Sequence, residues 1–486
     1  MLPTLLLAVT LAAPCESLLT LALPDTTILS ATLVPEGPYT PPGASATAKP
    51  VPMIAACRVA GRVQPAITFE VWLPESGWNG KFQAVGGGGY AGVISYGPMA
   101  AALRRGYATA STDTGHATPG GSWALNRPDL VADFGHRAIH AMTVNAKAIV
   151  EAFYGRGPAR SYFVGCSTGG RQGLMEAQRY PADYDGIVAG APANYWSRMP
   201  AGNLFAAAAT LKDDASRLPL PKLRALNQGA IAACDARDGV TDGLIEDPRQ
   251  CTFDPASLQC SGQETDACLT PPQVAAARSI YAPAFNPRTK EAIFPGMPRG
   301  SELTWGALTG GPQPFTIAVD FYRYFVSSDP QWDWKTMDFD KDVAAGDAKV
   351  REVMDATNPD LRAFKARGGR LLLYHGWNDQ LISAFNTIDY YESLVKTMGA
   401  PATSEFARLF MAPGMLHCAG GVGPNTFDAV AALERWVETG SPPQQLLASH
   451  AVNGVVDRTR PLCPYPQVAV YTGSGSIDEA TSFVCK

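Results

Sequence analysis

Gly165-Cys166-Ser167-Thr168-Gly169 decides the reading of this chain. It is a complete G-x-S-x-G, led into by a strand-like run at residues 161–164 and followed by residues 170–180, which read as a helix. A serine at a sharp strand-to-helix turn is a nucleophile elbow, in which the hydroxyl stands free above a sheet edge. So tight a turn has no room for side chains on both flanks, and glycines supply that room. The pattern is short and recurs by chance, so context gives it weight. Here Cys166 directly precedes the serine, and a second cysteine directly follows a histidine in His417-Cys418.

Outward from the elbow, short apolar runs recur at 67–73, 81–85, 107–112 and 186–191. The run at 67–73 alternates, and the one at 81–85 leads into four glycines. Residues 136–154 have helical spacing, with Ile139, Met142, Ala146, Ile149, Val150 and Phe153 on one side. Strands alternating with helices predict a parallel sheet with helices packed on it. The pattern stops after Pro192. From there to about Asp360 come four clustered cysteines, many prolines and Trp305, Trp332 and Trp334, with no parallel-strand unit. Strand runs resume at 370–375 and 407–412. The expected fold class is therefore α/β: an α/β-hydrolase core from residues 15–194 and 360–486, with a large inserted lid domain at 195–359.

The 486 residues can bury a large core, and a net charge of −5 without a basic block gives no footprint for nucleic acid. The ten cysteines contain no C-x-x-C, which argues against zinc knuckles and thioredoxin-like redox chemistry. An even count suits five disulfides and an oxidising compartment, secreted or periplasmic. Residues 1–14 form a signal-like segment: Leu2 to Ala13 are apolar and end in small residues, though without a basic start. A buried N-terminal strand is the alternative reading. No other apolar run is long enough to span a bilayer, so no stable membrane association is expected.

A catalytic serine needs a base to take its proton, and the base needs a carboxylate to fix its tautomer. In an α/β-hydrolase these follow in the order Ser, acid, His. Asp379 lies just beyond the strand-like Leu371-Leu372-Leu373-Tyr374-His375, and His417 lies just beyond the run at 407–412. Ser167, Asp379 and His417 are thus the candidate triad. The oxyanion hole needs two backbone N–H groups. Thr168 follows the nucleophile and supplies one; Gly88 or Gly89, in the run Gly86-Gly87-Gly88-Gly89, supplies the other, and the two remain alternatives. If Ser167 and His417 meet, Cys166 and Cys418 are also close, as a disulfide or as two buried thiols.

Residues 234–244 concentrate three carboxylates and two glycines. Hard oxygen ligands at short, irregular spacing suit calcium, although the EF-hand spacing is not met. The expected ligands are the side chains of Asp235, Asp238 and Asp242 and the carbonyls of Val240 and Leu244. Cys234 and Cys251 flank this loop and are placed to close it. An acidic turn without metal is the alternative.

Taken together, Gly165 to Gly170, Asp379, His417-Cys418 and the loop from Asp235 to Leu244 resemble the tannase and feruloyl esterase family. Trp78-Asn79-Gly80 and Ser111-Thr112-Asp113-Thr114-Gly115-His116 are similar to it as well. The resemblance runs from about Cys15 to Cys485. It implies a lid between the sixth and seventh core strands, structural Ca2+ in that lid, and the pairs Cys15–Cys57, Cys166–Cys418, Cys234–Cys251, Cys260–Cys268 and Cys463–Cys485. It also implies a secreted serine carboxylesterase acting on a small aromatic ester, a hydroxycinnamate or a gallate. Lid aromatics Trp305, Phe315, Phe321 and Tyr322 are candidates for stacking on the ring, with more of them expected in the lid core than against a substrate. One alternative is a terephthalate monoester hydrolase, with Arg299 or Arg323 meeting the free carboxylate. A serine peptidase and a non-catalytic, calcium-dependent binding module are the others.

Overall fold

The computed structural model describes residues 12–44, 47 and 49–486. Most of the signal-like segment, residues 1–11, lies outside the described residues. Nine strands form one sheet: β1 (Thr26–Val34), β2 (Ala56–Val63), β3 (Ile67–Pro74), β4 (Lys81–Val85), β5 (Ala108–Thr112), β6 (Arg160–Cys166), β7 (Gly186–Gly190), β8 (Arg370–Gly376) and β9 (Ala407–Ala412). Their spatial order is β1-β2-β3-β5-β4-β6-β7-β8-β9.

From β5 to β9 all pairings are parallel. The expectation of a parallel sheet is corrected at the other edge, where β1, β2, β3 and β5 pair antiparallel. For β2 and β3 the short link between them is the reason, because a parallel neighbour needs a long crossover. The alternation expected at residues 67–73 is also absent: β3 is buried along its length except at Thr68.

Both faces of the sheet are covered, which is why its inner strands read as continuous apolar runs. Helices α1 (Tyr96–Arg104), α2 (Ala138–Tyr154), α3 (Thr168–Arg179), α4 (Ala384–Met398) and α5 (Ala429–Thr439) form the two outer layers. Alternate residues of the strands serve opposite sides. Phe163, Ile187, Leu371, Leu373 and Leu409 pack with Met142, Ile149, Leu174 and Leu394. Tyr162, Val188, Leu372 and Phe410 pack with Leu433 and Trp436.

Between β7 and β8, the sixth and seventh strands once the added edge strand β1 is set aside, the described chain adds no strand to this sheet; its strands are a short hairpin, Ala284–Phe285 with Ala292–Phe294. The insert has its own core, in which Leu223, Leu226, Phe253, Ile280 and Trp305 are buried together. No helix among the described residues is long and apolar enough to cross a membrane. All five disulfides have the pairing that the resemblance implied: Cys15–Cys57, Cys166–Cys418, Cys234–Cys251, Cys260–Cys268 and Cys463–Cys485.

Candidate active site

Ser167 occupies the turn between β6 and α3 with φ 64° and ψ −122°, a left-handed value that a non-glycine residue rarely adopts. Such a residue persists only when its surroundings over-determine it. Here they do. Ser167 N donates to the Gly190 carbonyl at 2.9 Å, and its own carbonyl accepts from Arg171 N and Ala193 N, each at 3.0 Å. The flanking glycines are required by contact. A Cβ on Gly165 would stand 2.4 Å from the Gly169 backbone, and one on Gly170 2.4 Å from the Gly190 oxygen.

Asp379 follows β8 and is fully buried. Its Oδ2 accepts from His417 Nδ1 at 2.6 Å, and its Oδ1 accepts from the backbone N–H groups of Leu381 at 2.8 Å and Ile382 at 3.0 Å. Burial alone would raise its pKa, but hydrogen bonds from His375 and His417 outweigh burial and hold it well below the usual carboxylate range. Asp379 is therefore ionised, the form that stabilises an imidazolium on His417. The His417 backbone is held in turn, its N–H donating to Gln380 Oε1 at 3.1 Å.

Ser167 and His417 line one cavity of about 290 Å³. The Cys166–Cys418 disulfide joins their neighbours, with Cα atoms 5.9 Å apart across 252 positions of sequence. Among the described residues Ser167 Oγ makes no hydrogen bond. A serine–histidine contact of this kind commonly tightens only when substrate is present.

Gly88, Gly89 and Thr168 line the same cavity. In the glycine run, Gly86 N donates to the Val164 carbonyl at 2.9 Å and Gly87 N to Gln172 Oε1 at 3.0 Å. The N–H groups of Gly88 and Gly89 meet no acceptor among the described residues. Thr168 Oγ1 donates to the Gly89 carbonyl at 2.6 Å, which fixes the run against the elbow. Gly89 has φ 55°.

The remaining wall is apolar, formed by Trp196, Met199, Phe315, Ile317, Leu381 and Ile382, with Asn203 its amide. Of the four candidate aromatics, most of which were expected in the core of the insert, only Phe315 lines the cavity. Trp305, Phe321 and Tyr322 are buried in packed clusters instead. Neither expected arginine lines it. Arg299 donates to the Phe253 carbonyl at 2.7 Å and Arg323 to the Trp332 carbonyl at 3.0 Å.

The acidic loop forms a separate candidate site. Asp235 accepts from the N–H groups of Asp242 at 3.2 Å and Gly243 at 2.9 Å, and Asp238 accepts from Val240 N at 3.0 Å. Leu244 N reaches Asp242 Oδ1 at 3.1 Å. Burial, with Asp242 and Asp235 nearby, pushes Asp238 up to about 6. Burial also pushes neighbouring Glu246 up to about 8. This is an excess of oxygen donors and negative charge that suits a hard cation. The sequence reading missed the loop's own counter-charges: Asp242 Oδ2 is paired with Arg460 and lies 3.6 Å from Arg458.

The chain matches the model of the tannase and feruloyl esterase family over residues 51–486. It is 40% identical to an uncharacterized esterase of Xanthomonas campestris, over 99% of this chain and 92% of that one. It is 35% identical to the mono(2-hydroxyethyl) terephthalate hydrolase of Piscinibacter sakaiensis, over 91% of this chain and 86% of that one. The crystal structure of feruloyl esterase B from Aspergillus oryzae superposes with a TM-score of 0.92 at 30% identity, covering 97% of this chain and 99% of that one. With its elbow serine, its buried Asp–His pair and this likeness along nearly its whole length, the chain belongs to the tannase and feruloyl esterase family.

Proposed function

We propose that the chain is a serine carboxylesterase that hydrolyses esters of aromatic acids. Ser167 Oγ attacks the ester carbonyl, and His417 takes its proton on the nitrogen remote from Asp379. Asp379 accepts from the other nitrogen and stabilises the imidazolium. The negative oxygen is met by Thr168 N–H and by Gly88 or Gly89 N–H. His417 returns the proton to the leaving alcohol, and water then attacks the acyl-enzyme by the same route.

One observation carries the choice of substrate: the cavity beside Ser167 is walled by Trp196, Phe315 and aliphatic side chains, and among the described residues no Lys or Arg lines it. A flat aromatic acyl group suits such walls. A free carboxylate, as on a terephthalate monoester, would be stripped of water there without a partner. Rates of hydrolysis of methyl ferulate, methyl gallate and mono(2-hydroxyethyl) terephthalate by one preparation test this. One of the first two should exceed the third by at least about tenfold in kcat/KM, the loss expected for an unpaired polar group. A preference for the terephthalate monoester would overturn the choice of acyl group. No hydrolysis of any ester would favour the binding-module reading.

Ca2+ is proposed as a structural ion of the lid, held by Asp235, Asp238 and Asp242 and the carbonyls of Val240 and Leu244, where it would neutralise the loop's acidic charge. A ligand bound only to the folded chain stabilises it by about 2.7 kcal/mol at a hundred times its Kd. Chelation should therefore lower the melting temperature by about 5 °C, and Asp238→Ala should remove most of that difference. Undialysed protein free of calcium by elemental analysis would count against the site. Five disulfides support export to an oxidising compartment as part of this reading.

A further inference from the structure

A second histidine faces the acid of the triad. His375 stands at the end of β8 and is fully buried. Its Nε2 lies 3.0 Å from Asp379 Oδ2 and 3.1 Å from the carbonyl oxygen of Ile382. An ionised carboxylate and a backbone carbonyl are both acceptors only, so Nε2 carries a hydrogen. Its Nδ1 lies 2.7 Å from Thr387 Oγ1, on α4. A hydrogen on Nε2 matches a Thr387 hydroxyl that donates to Nδ1. The two imidazoles thus meet on one oxygen, His375 from β8 and His417 from the loop after β9, while Oδ1 is held by the two backbone N–H groups. His375 and His417 are the titratable groups that act on Asp379.

We propose that His375, fixed as its Nε2–H tautomer by Thr387, is a positioning residue of the hydrolysis: it pins Asp379 Oδ2 where His417 Nδ1 meets it and shares that oxygen's charge. This rests on the esterase reading above. Without His375 the carboxylate has one fewer donor on the oxygen that orients the base, and a small displacement of a reacting group is costly. Its undivided charge also holds a proton on His417 more firmly. The acid limb of the pH–rate profile then moves to higher pH.

The test compares the wild type with His375→Ala, His375→Gln and Thr387→Val on methyl ferulate and on p-nitrophenyl acetate. His375→Ala should lower kcat about 10- to 100-fold, change KM by less than about twofold, and move the acid limb of kcat/KM upward by about one pH unit. Glutamine presents an amide N–H near the place of Nε2 and should regain most of kcat and the original limb. Thr387→Val removes the hydroxyl that selects the tautomer and should shift the limb in the same direction by less. A profile that does not move, or a glutamine variant as impaired as alanine, overturns the proposal. If the alanine variant fails to fold, the other two decide: wild-type kcat and limb in both His375→Gln and Thr387→Val would remove the tautomer's role. Reduced kcat in His375→Gln with an unmoved limb would reduce His375 to packing. Failure of the wild type on both esters would sink the esterase reading itself, a result distinct from all of these.

Discussion

Ser167→Ala is expected to lower kcat for ester hydrolysis by about a millionfold, the scale seen when the nucleophile of a serine triad is removed, while leaving the fold intact. The second half of that expectation follows from the elbow. Ser167 Oγ makes no hydrogen bond among the described residues, and the turn is held by backbone bonds to Gly190, Arg171 and Ala193 that alanine retains. Alanine keeps the Cβ, so the strain at φ 64° is the same in both proteins. Melting temperature should therefore change little, within the roughly 0.5 kcal/mol expected of a substitution that breaks no contact. Steady-state rates together with mapping of a fluorophosphonate label check it. A label on any other serine, or an alanine variant with more than trace activity, removes Ser167 from the mechanism.

Removing the Cys166–Cys418 bridge by alanine at both positions should cost about 3–5 kcal/mol of stability, because the bridge closes so long a loop in the unfolded chain. It should also lower activity, by up to about a hundredfold, since the bridge ties the elbow to the loop that carries His417 and small misplacements there are costly. Removing Cys463 and Cys485 is the control. Their bridge spans 22 positions and lies in a cluster with Ala469 and Phe483, not in the wall of the catalytic cavity. That variant should lose stability and keep its kcat. Peptide mapping without reductant tests the pairing directly. A free thiol at Cys166, or equal activity losses in the two double variants, would show that the bridge does not hold the site.

Much of this arrangement is legible in the sequence because its signals are local. Strands β4 and β9 have the bounds read from their apolar runs, and the elbow announces itself by glycines that the tight turn cannot do without. The edge was not legible. β1 buries only two of its nine residues and carries an irregularity near Ile28, so its alternation is broken. Its neighbour β2 begins only after a long link and was missed with it. Which of the lid aromatics meets the cavity was not legible for another reason. Tryptophan and phenylalanine serve a cavity wall and a core equally well, and tertiary packing alone puts Phe315 in the first and Trp305 in the second. His375 was visible as the last bulky residue of a strand, four positions before the acid. Its role depends on Thr387, on a separate helix, and such a partner leaves no local trace.

The bridge beside Ser167 has a topological consequence. Between Cys166 and Cys418 the chain is a closed covalent ring, and the whole insert between β7 and β8 lies inside it. A protease that cuts once within that insert opens the ring without releasing either piece. The exposed stretch at residues 261–267 is doubly secured, since Cys260–Cys268 spans the same segment. A chain nicked there would run as one species without reductant and as two with it, and Ser167, Asp379 and His417 would still be carried by a single covalent molecule.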